Sequence, residues 1–259
     1  MCIRDRDGDL RPVVIVTGGS RGIGAATASL FAREGYDVCI SYLSDADAAF
    51  GIVKTCEGFG AKAIAVQSDV AKRQDVEAVF LSCDRELGSV SCLVNNAGVI
   101  GQNTRIQGLQ DEALEQTFKT NVFGLLYCTQ EATRRMSTAN GAAGGTIINI
   151  SSVAAVLGSP GEYVHYAASK GAVETISIGA GRELAPEGIR VNAIRVGTTN
   201  TSIHTLSGNP DRPARIAAMT PMGRIAEPED IAQTALWLAS DKSGFVTGTV
   251  ITVAGGLSA

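Results

Sequence analysis

Two side chains, Tyr166 and Lys170, are spaced for proton chemistry. Four residues apart on a helix, they project from one face a single turn from each other. A free phenol titrates at about pH 10 and transfers protons poorly at neutral pH, but a neighbouring cation stabilises the phenolate and makes the hydroxyl usable. Lys170 supplies that cation, and a phenol so assisted can protonate an oxygen or take the proton back. Tyr163 is the nearby rival, yet the residue four further on is Ala167. A tyrosine and a lysine at this spacing also occur on ordinary solvated helix faces, so the reading needs support from elsewhere in the chain.

The first support is a cluster of glycines. The strand-like run Pro12 to Thr17 leads into Gly18-Gly19-Ser20-Arg21-Gly22-Ile23-Gly24 and then into a helical pattern. Glycines at a strand-to-helix turn let the backbone approach a ligand closely, and the helix start offers free N–H groups and a positive dipole end to a pyrophosphate. The spacing is G-x-x-x-G-x-G, and its place after the first strand of a βαβ series marks a dinucleotide site. No Lys-Ser/Thr follows the last glycine, which excludes a nucleotide triphosphate P-loop. The same letters satisfy G-x-S-x-G, so a serine hydrolase using Ser20, with His165 or His204 as nominal partner, is an alternative; that elbow belongs after a later strand. The second strand ends Ile40-Ser41-Tyr42-Leu43, without the acid that would bond the ribose 2′-hydroxyl of NAD. Arg21 offers a guanidinium fork for a 2′-phosphate instead, so NADP(H) is favoured over NAD(H), with Asp45 and Asp47 as the opposing feature.

Short β-branched runs alternate with longer amphipathic stretches along nearly the whole chain. Strands are predicted at 12–17, 37–42, 62–67, 91–95, 146–151, 189–194 and 249–253, and helices at 22–34, 45–58, 72–87, 111–138, 162–185 and 228–239. The fold class is α/β: a single-domain Rossmann fold over 11–259, with a doubly wound, seven-stranded parallel sheet covered by helices on both faces. Pro186 and Gly188 close the fifth helix, and Pro228 with Glu229 and Asp230 suits the first turn of the last. Gly179 and Gly181 inside a helix imply close packing or local distortion. Residues 196–227 hold Gly197, Gly208, Pro210, Pro213 and Pro221 without a clean period and read as a substrate loop or lid, while residues 1–10 read as a tail or scar.

Composition sets outer limits. Hydrophobic residues are 45% of the 259 and aromatics only 5%, so the core must be built from Val, Ile, Leu and Ala. A net charge of -4 leaves no electrostatic footprint for nucleic acid. No run reaches the roughly 18 apolar residues of a membrane span, and the polar beginning lacks the centre of a signal peptide, so a cytoplasmic location is expected. The six cysteines contain no C-x-x-C pair and the two histidines lie far apart, so neither disulfides nor a metal site is expected.

Thr17-Gly18-x-x-x-Gly22-x-Gly24, then Asn95-Asn96-Ala97-Gly98, then Tyr166-Ala167-Ala168-Ser169-Lys170 together resemble the motif set of the short-chain dehydrogenase/reductase family. The likeness runs from about residue 12 to the end and is greatest to the glucose 1-dehydrogenase and 3-oxoacyl-carrier-protein reductase branches. It implies hydride transfer between a nicotinamide and a carbonyl or secondary alcohol, with Tyr166 as general acid/base and Lys170 also bonding the nicotinamide ribose. It further implies Ser152 steadying the substrate oxygen, with Ser151 as rival, and Asn121 holding a water that relays protons to the lysine. The cofactor residues it implies are Gly18, Ser20, Arg21, Gly22, Ile23, Gly24, Asp69, Val70, Asn95, Ala97, Gly98, Gly197, Thr199 and Thr201, with Tyr166 and Lys170. Asp69 is at the same time a candidate N-cap for the helix at 72–87. One departure is Val196-Gly197, where the family commonly has Pro-Gly; valine restores an N–H and frees φ, which puts the details of Gly197, Thr199 and Thr201 in doubt. The resemblance also implies a homotetramer built on the helix at 162–185, with its small residues Ala167, Ala168, Gly171, Ala172, Gly179 and Gly181. A non-catalytic NADP(H)-binding module is the remaining alternative.

Overall fold

Apolar β-branched runs with no polar alternation form strands that must be covered on both faces, and the computed structural model, which describes residues 11–201 and 212–258, covers them with helices. The strands are β1 (Val13–Val16), β2 (Asp37–Tyr42), β3 (Ala63–Gln67), β4 (Val90–Asn95), β5 (Gly145–Ser152), β6 (Ile189–Val196) and β7 (Val250–Val253). They form one seven-stranded sheet in the order β3-β2-β1-β4-β5-β6-β7, and every neighbouring pair is parallel. Each expected strand is present to within two residues. Alternation along β1 divides the core, with Val14 and Val16 packing into one buried cluster and Val13 and Ile15 into the other.

The long helices are α1 (Gly22–Arg33), α2 (Ala46–Gly58), α3 (Arg73–Glu86), α4 (Asp111–Phe118), α5 (Leu125–Met136), α7 (Val164–Leu184) and α9 (Pro228–Ala239). A short α6 (Ala154–Leu157) follows β5, and α8 (Arg212–Met219) lies between β6 and α9. Pro228 opens α9, and the Asp230 side chain accepts from the Glu227 N–H at 2.9 Å, as the sequence suggested for that terminus. Gly188, at φ +73°, ends the turn after α7.

Four expectations change. The single helix at 111–138 is two helices joined by a π-helical stretch, Lys119–Gly124. There the chain runs so close to the loop after β3 that a Cβ on Gly124 would lie 2.8 Å from the Val70 carbonyl oxygen. Within 196–227, α8 is a helix that the periodicity did not reveal, and the rest of that segment at 202–211, like the tail at 1–10, lies outside the described residues. Asp69 does not cap α3: its Oδ1 accepts from Ala71 N at 3.1 Å, closing a tight turn two residues long, and Lys72 holds the N-cap position. Of the two helical glycines only Gly181 is required by packing, since its Cβ would stand 2.4 Å from Gly248 N, while Gly179 has open space around it.

These contacts separate two kinds of helical glycine by stability. Gly51→Ala, on the exposed side of α2 with nothing within 4 Å, is expected to raise unfolding free energy by about 0.5–1 kcal/mol. Gly181→Ala should lower it by about 1–3 kcal/mol through overpacking. Urea denaturation of both variants checks the pair, and equal effects would contradict the packing.

Candidate active site

Strand order reverses between β1 and β4, and the chain leaves both strands at their carboxyl ends in opposite directions, opening a crevice there. A cavity of about 680 Å3 occupies it, within the range of small-molecule and cofactor sites. Its wall includes Gly18, Ser20, Arg21, Gly22, Ile23, Asp69, Val70, Ala97, Gly98, Ser152, Tyr166, Lys170, Gly197, Thr199 and Thr201. Three residues expected at the site, Gly24, Asn95 and Asn121, stand behind the wall.

The glycine turn is shaped by contacts only hydrogen can satisfy. Gly18 and Gly22 hold φ at +63° and +54°, and a Cβ on Gly24 would fall 2.3 Å from the Gly18 carbonyl oxygen. Gly24 therefore closes the turn onto α1 from behind. The N-terminus of α1 begins after Arg21 with no side chain capping it, so its first amides are left for a ligand, and the exposed Arg21 lines the same cavity. These features fit the diphosphate of a dinucleotide, with Arg21 the residue able to hold a further phosphate.

Two side chains that sequence reasoning did not place in the site hold the turn against β4. Thr17 Oγ1 accepts from the N–H groups of Asn96 and Ala97, each at 3.0 Å. Asn96 Nδ2 donates to the carbonyls of Thr17 and Gly18 at 2.9 and 3.0 Å. Both residues sit inside the quoted motifs, so the signal was present, but their partners lie about 80 residues away. Asn95 points the other way: its Nδ2 donates to Asn149 Oδ1 at 2.9 Å and to Thr129 Oγ1 at 3.3 Å, tying β4 to β5.

The carboxyl end of β5 separates the two serines. Ser151 is buried and donates to Glu174 Oε1 at 2.9 Å. Ser152 faces the cavity, with its Oγ accepting from Ala154 N at 3.2 Å. Alternation along the strand thus distinguishes the candidate from its rival. Asn121, 1% exposed in the π-helical stretch, spends its amide on the backbone of Val99 (2.9 Å each way) and on Ser169 Oγ at 3.0 Å.

Helix α7 brings Tyr166 and Lys170 to the cavity. The Lys170 Nζ donates to the Ile150 carbonyl at 2.7 Å and sits 5.8 Å from the centroid of the Tyr166 ring. Burial drives the lysine from its usual range down to about 8. It is thereby a cation that exchanges its proton at about pH 8, close to a phenol that lines the cavity. His165 lies on the other side of α7, with burial lowering its affinity for a proton and its Nε2 facing Gly101 and Thr117. Among the described residues no histidine lines the cavity, so none of these gives Ser20 the base that a hydrolase needs. His204 lies outside the described residues.

A doubly wound parallel sheet, a glycine turn at the point of strand reversal and a Tyr–Lys pair beside it are features that suit a nucleotide-cofactor oxidoreductase. Comparison with known proteins agrees. A family model described as enoyl-(acyl carrier protein) reductase matches residues 18–258. The uncharacterized oxidoreductase YgfF of Escherichia coli is 44% identical over 244 residues, covering 94% of this chain and 99% of the relative. The 3-oxoacyl-acyl-carrier-protein reductase FabG of Staphylococcus epidermidis is 35% identical over 243 residues, covering 94% and 97%. A doubly substituted variant of a Serratia marcescens short-chain dehydrogenase/reductase superposes with a TM-score of 0.88 at 31% identity, covering 96% of this chain and 99% of the other. The chain belongs to the short-chain dehydrogenase/reductase family, and its class of chemistry is hydride transfer.

The buried lysine carries a stability signature. Its folded-state affinity for protons is lowered, so between about 8 and 10.5 the unfolded chain binds the extra proton and stability attributable to Lys170 rises with pH. The buried thiols Cys92 and Cys128, pushed up to about 12, act in the opposite direction, so the comparison must be with Lys170→Met. The stability of the parent relative to that variant is expected to increase by on the order of 3 kcal/mol across this window in ligand-free protein. A pH-independent difference in denaturation free energy would contradict it.

Proposed function

We propose that this protein is an NADP(H)-dependent oxidoreductase acting on a carbonyl compound or the corresponding secondary alcohol. The observation that carries the reading is the convergence of Tyr166, the buried Lys170 and Ser152 on the cavity that the glycine turn also lines. A bound nicotinamide supplies or accepts the hydride. Ser152 holds the substrate oxygen by a hydrogen bond, Tyr166 gives that oxygen a proton in reduction or takes it in oxidation, and Lys170 lowers the cost of the phenolate. Since the Asn121 amide is already committed to Val99 and Ser169, a relay water at that residue would be held by its main chain. Val99, Ala97 and Gly98 line the floor beside it, and Val70 with Asp69 provides the far end, suited to the adenine.

The phosphate preference rests on Arg21 at the open helix start and on a β2 tip that ends Ser41-Tyr42-Leu43 without an acid. Asp45 accepts from Ala48 N at 3.0 Å as the N-cap of α2 and also lines the cavity, so it stands as the opposing feature. Around the catalytic end the wall is largely apolar, with Ile100, Val153, Ala154, Leu157, Ile216 and Met219, which suits a substrate with an apolar body. The homotetramer is supported by α7, where Ala168 and Gly179 are exposed and a partner helix could approach closely. The cytoplasmic location is supported by the five described cysteines, all buried and unpaired, as suits a reducing compartment. Among the described residues no helix is long and apolar enough to cross a membrane.

A screen of NADPH against sugars, β-keto thioesters, keto steroids and aryl ketones tests the function. Consumption of NADPH with one of these is expected, with Tyr166→Phe lowering kcat by about 100-fold or more. Full turnover by that variant would remove Tyr166 from the role, and tight cofactor binding with no turnover on any class would favour the non-catalytic module. Arg21→Ala should weaken NADPH by about 10-fold or more while leaving NADH affinity nearly unchanged, as read by fluorescence titration. Equal losses for both cofactors would show that Arg21 does not select the phosphate. Analytical ultracentrifugation should show a tetramer at micromolar concentration, and monomer alone would contradict the assembly.

A further inference from the structure

Two short helices build the cavity wall beside Ser152, and both use the same pattern. Helix α6 begins two residues after Ser152, and its Ala154 and Leu157 stand three apart, on one face. Ile216 and Met219 stand three apart on α8 in the same way. All four side chains line the cavity, and in each pair the first is buried and the second open: Ala154 is 6% and Leu157 51% exposed, Ile216 8% and Met219 61%. Each pair therefore runs from the depth of the cavity to its mouth over three residues of helix, a rise of about 4.5 Å. The two pairs form a trough with apolar walls. Its inner end lies at Ser152, whose hydroxyl oxygen accepts from Ala154 N at 3.2 Å.

The α8 wall is tied in place by polar contacts. Arg215, beside Ile216, donates to Glu162 Oε1 at 2.8 Å, and the Glu162 carbonyl accepts from Thr104 N at 2.9 Å. Helix α8, the loop after β4 and the turn that leads into α7 thus meet at Glu162.

The charges of the cavity restrict what the trough can hold. Among the described residues three cations line it: Arg21 belongs to the glycine turn, Lys170 stands beside the phenol, and Lys119 is paired with Glu115 at 2.6 Å. Arg215 is engaged by Glu162. None is left over for a carboxylate or phosphate on the substrate, and an unpaired anion against apolar side chains is costly. Of the acids, Asp45 and Asp69 accept from backbone amides, and Glu112 stands on α4, outside the trough. Ser159 and Tyr163 add only uncharged groups to the wall. At the mouth, a leucine and a flexible thioether offer open apolar surface that a chain can cover.

We propose that this trough takes the apolar chain of an uncharged carbonyl compound, with the carbonyl at Ser152 and Tyr166 and the chain leaving between α6 and α8 to end on Leu157 and Met219. This substrate class rests on the hydride-transfer reading, while its test reads binding alone. Secondary alcohols do not react with NADPH, so a series from 2-butanol to 2-nonanol can be titrated calorimetrically into the full chain with and without that cofactor. Affinity is expected to rise by about 2- to 4-fold for each added methylene until the chain passes the mouth. 5-Hydroxyhexanoate, which has the carbon count of 2-hexanol but ends in a carboxylate, should bind about 10-fold more weakly than that alcohol. Leu157→Ser should weaken 2-nonanol several-fold and 2-butanol less. Met219→Arg, which supplies the missing cation at an exposed position, should narrow the gap between the acid and 2-hexanol by about 3-fold or more.

Affinities that ignore chain length, or an acid bound by the parent chain as tightly as 2-hexanol, overturn the proposal. A rising series without NADPH oxidation by any carbonyl compound would keep the trough and remove the reaction, whereas turnover of short ketones with a flat series would do the reverse.

Discussion

An ammonium taken out of water and donating to the Ile150 carbonyl at 2.7 Å is the constraint on which the site depends. Desolvation makes the charged form of Lys170 costly, and that cost is what brings its proton exchange toward neutral pH. The arrangement persists only if β5 and α7 keep their register. Asn149, two residues before Ser151, is held by Asn95 from β4 and donates to Ser177 on α7 at 2.9 Å. Ser151 adds the link through Glu174 to Arg195. The polar groups along the middle of β5 are thus joined across three strands and one helix, and a buried network of this kind fixes geometry more firmly than apolar packing does.

The other half of the site depends on strand order. Because β1 and β4 are neighbours whose chains leave in opposite directions, the loops after them cannot cover the space above their ends. Thr17 and Asn96 bridge that gap by hydrogen bonds between the two loops, which tie the glycine turn to the end of β4. The π-helical stretch serves the same end from below. An extra residue per turn at Lys119–Gly124 lets the Asn121 amide meet the Val99 backbone while Gly124 passes close to Val70. A regular helix over these residues would place one or the other out of reach.

Most of the architecture was legible along the chain because its strands are short β-branched runs and its helices carry regular apolar spacing. The elements that escaped were those set by contact. The break in 111–138 leaves no mark on periodicity, since a π-helical turn keeps nearly the same residues buried. The helix Arg212–Met219 lies among prolines and glycines whose local signals point to loop. Asp69 reads from the sequence as a candidate cap for α3, but its carboxylate accepts from Ala71 N instead, a choice that local residue type does not reveal.

By itself the sequence determined the parallel α/β class, the glycine turn and the Tyr166–Lys170 pair, because each is a local matter of spacing: period two or 3.6, hydrogen in place of a side chain, one helical turn. Which serine faces the cavity, that Asn95 braces strands while Asn96 holds the turn, and that Arg195 stands over Glu174 were decided only by the tertiary structure. Those partners lie some 20 to 80 residues apart, and only the folded sheet, by placing β1, β4, β5 and β6 side by side, brings them within a hydrogen bond.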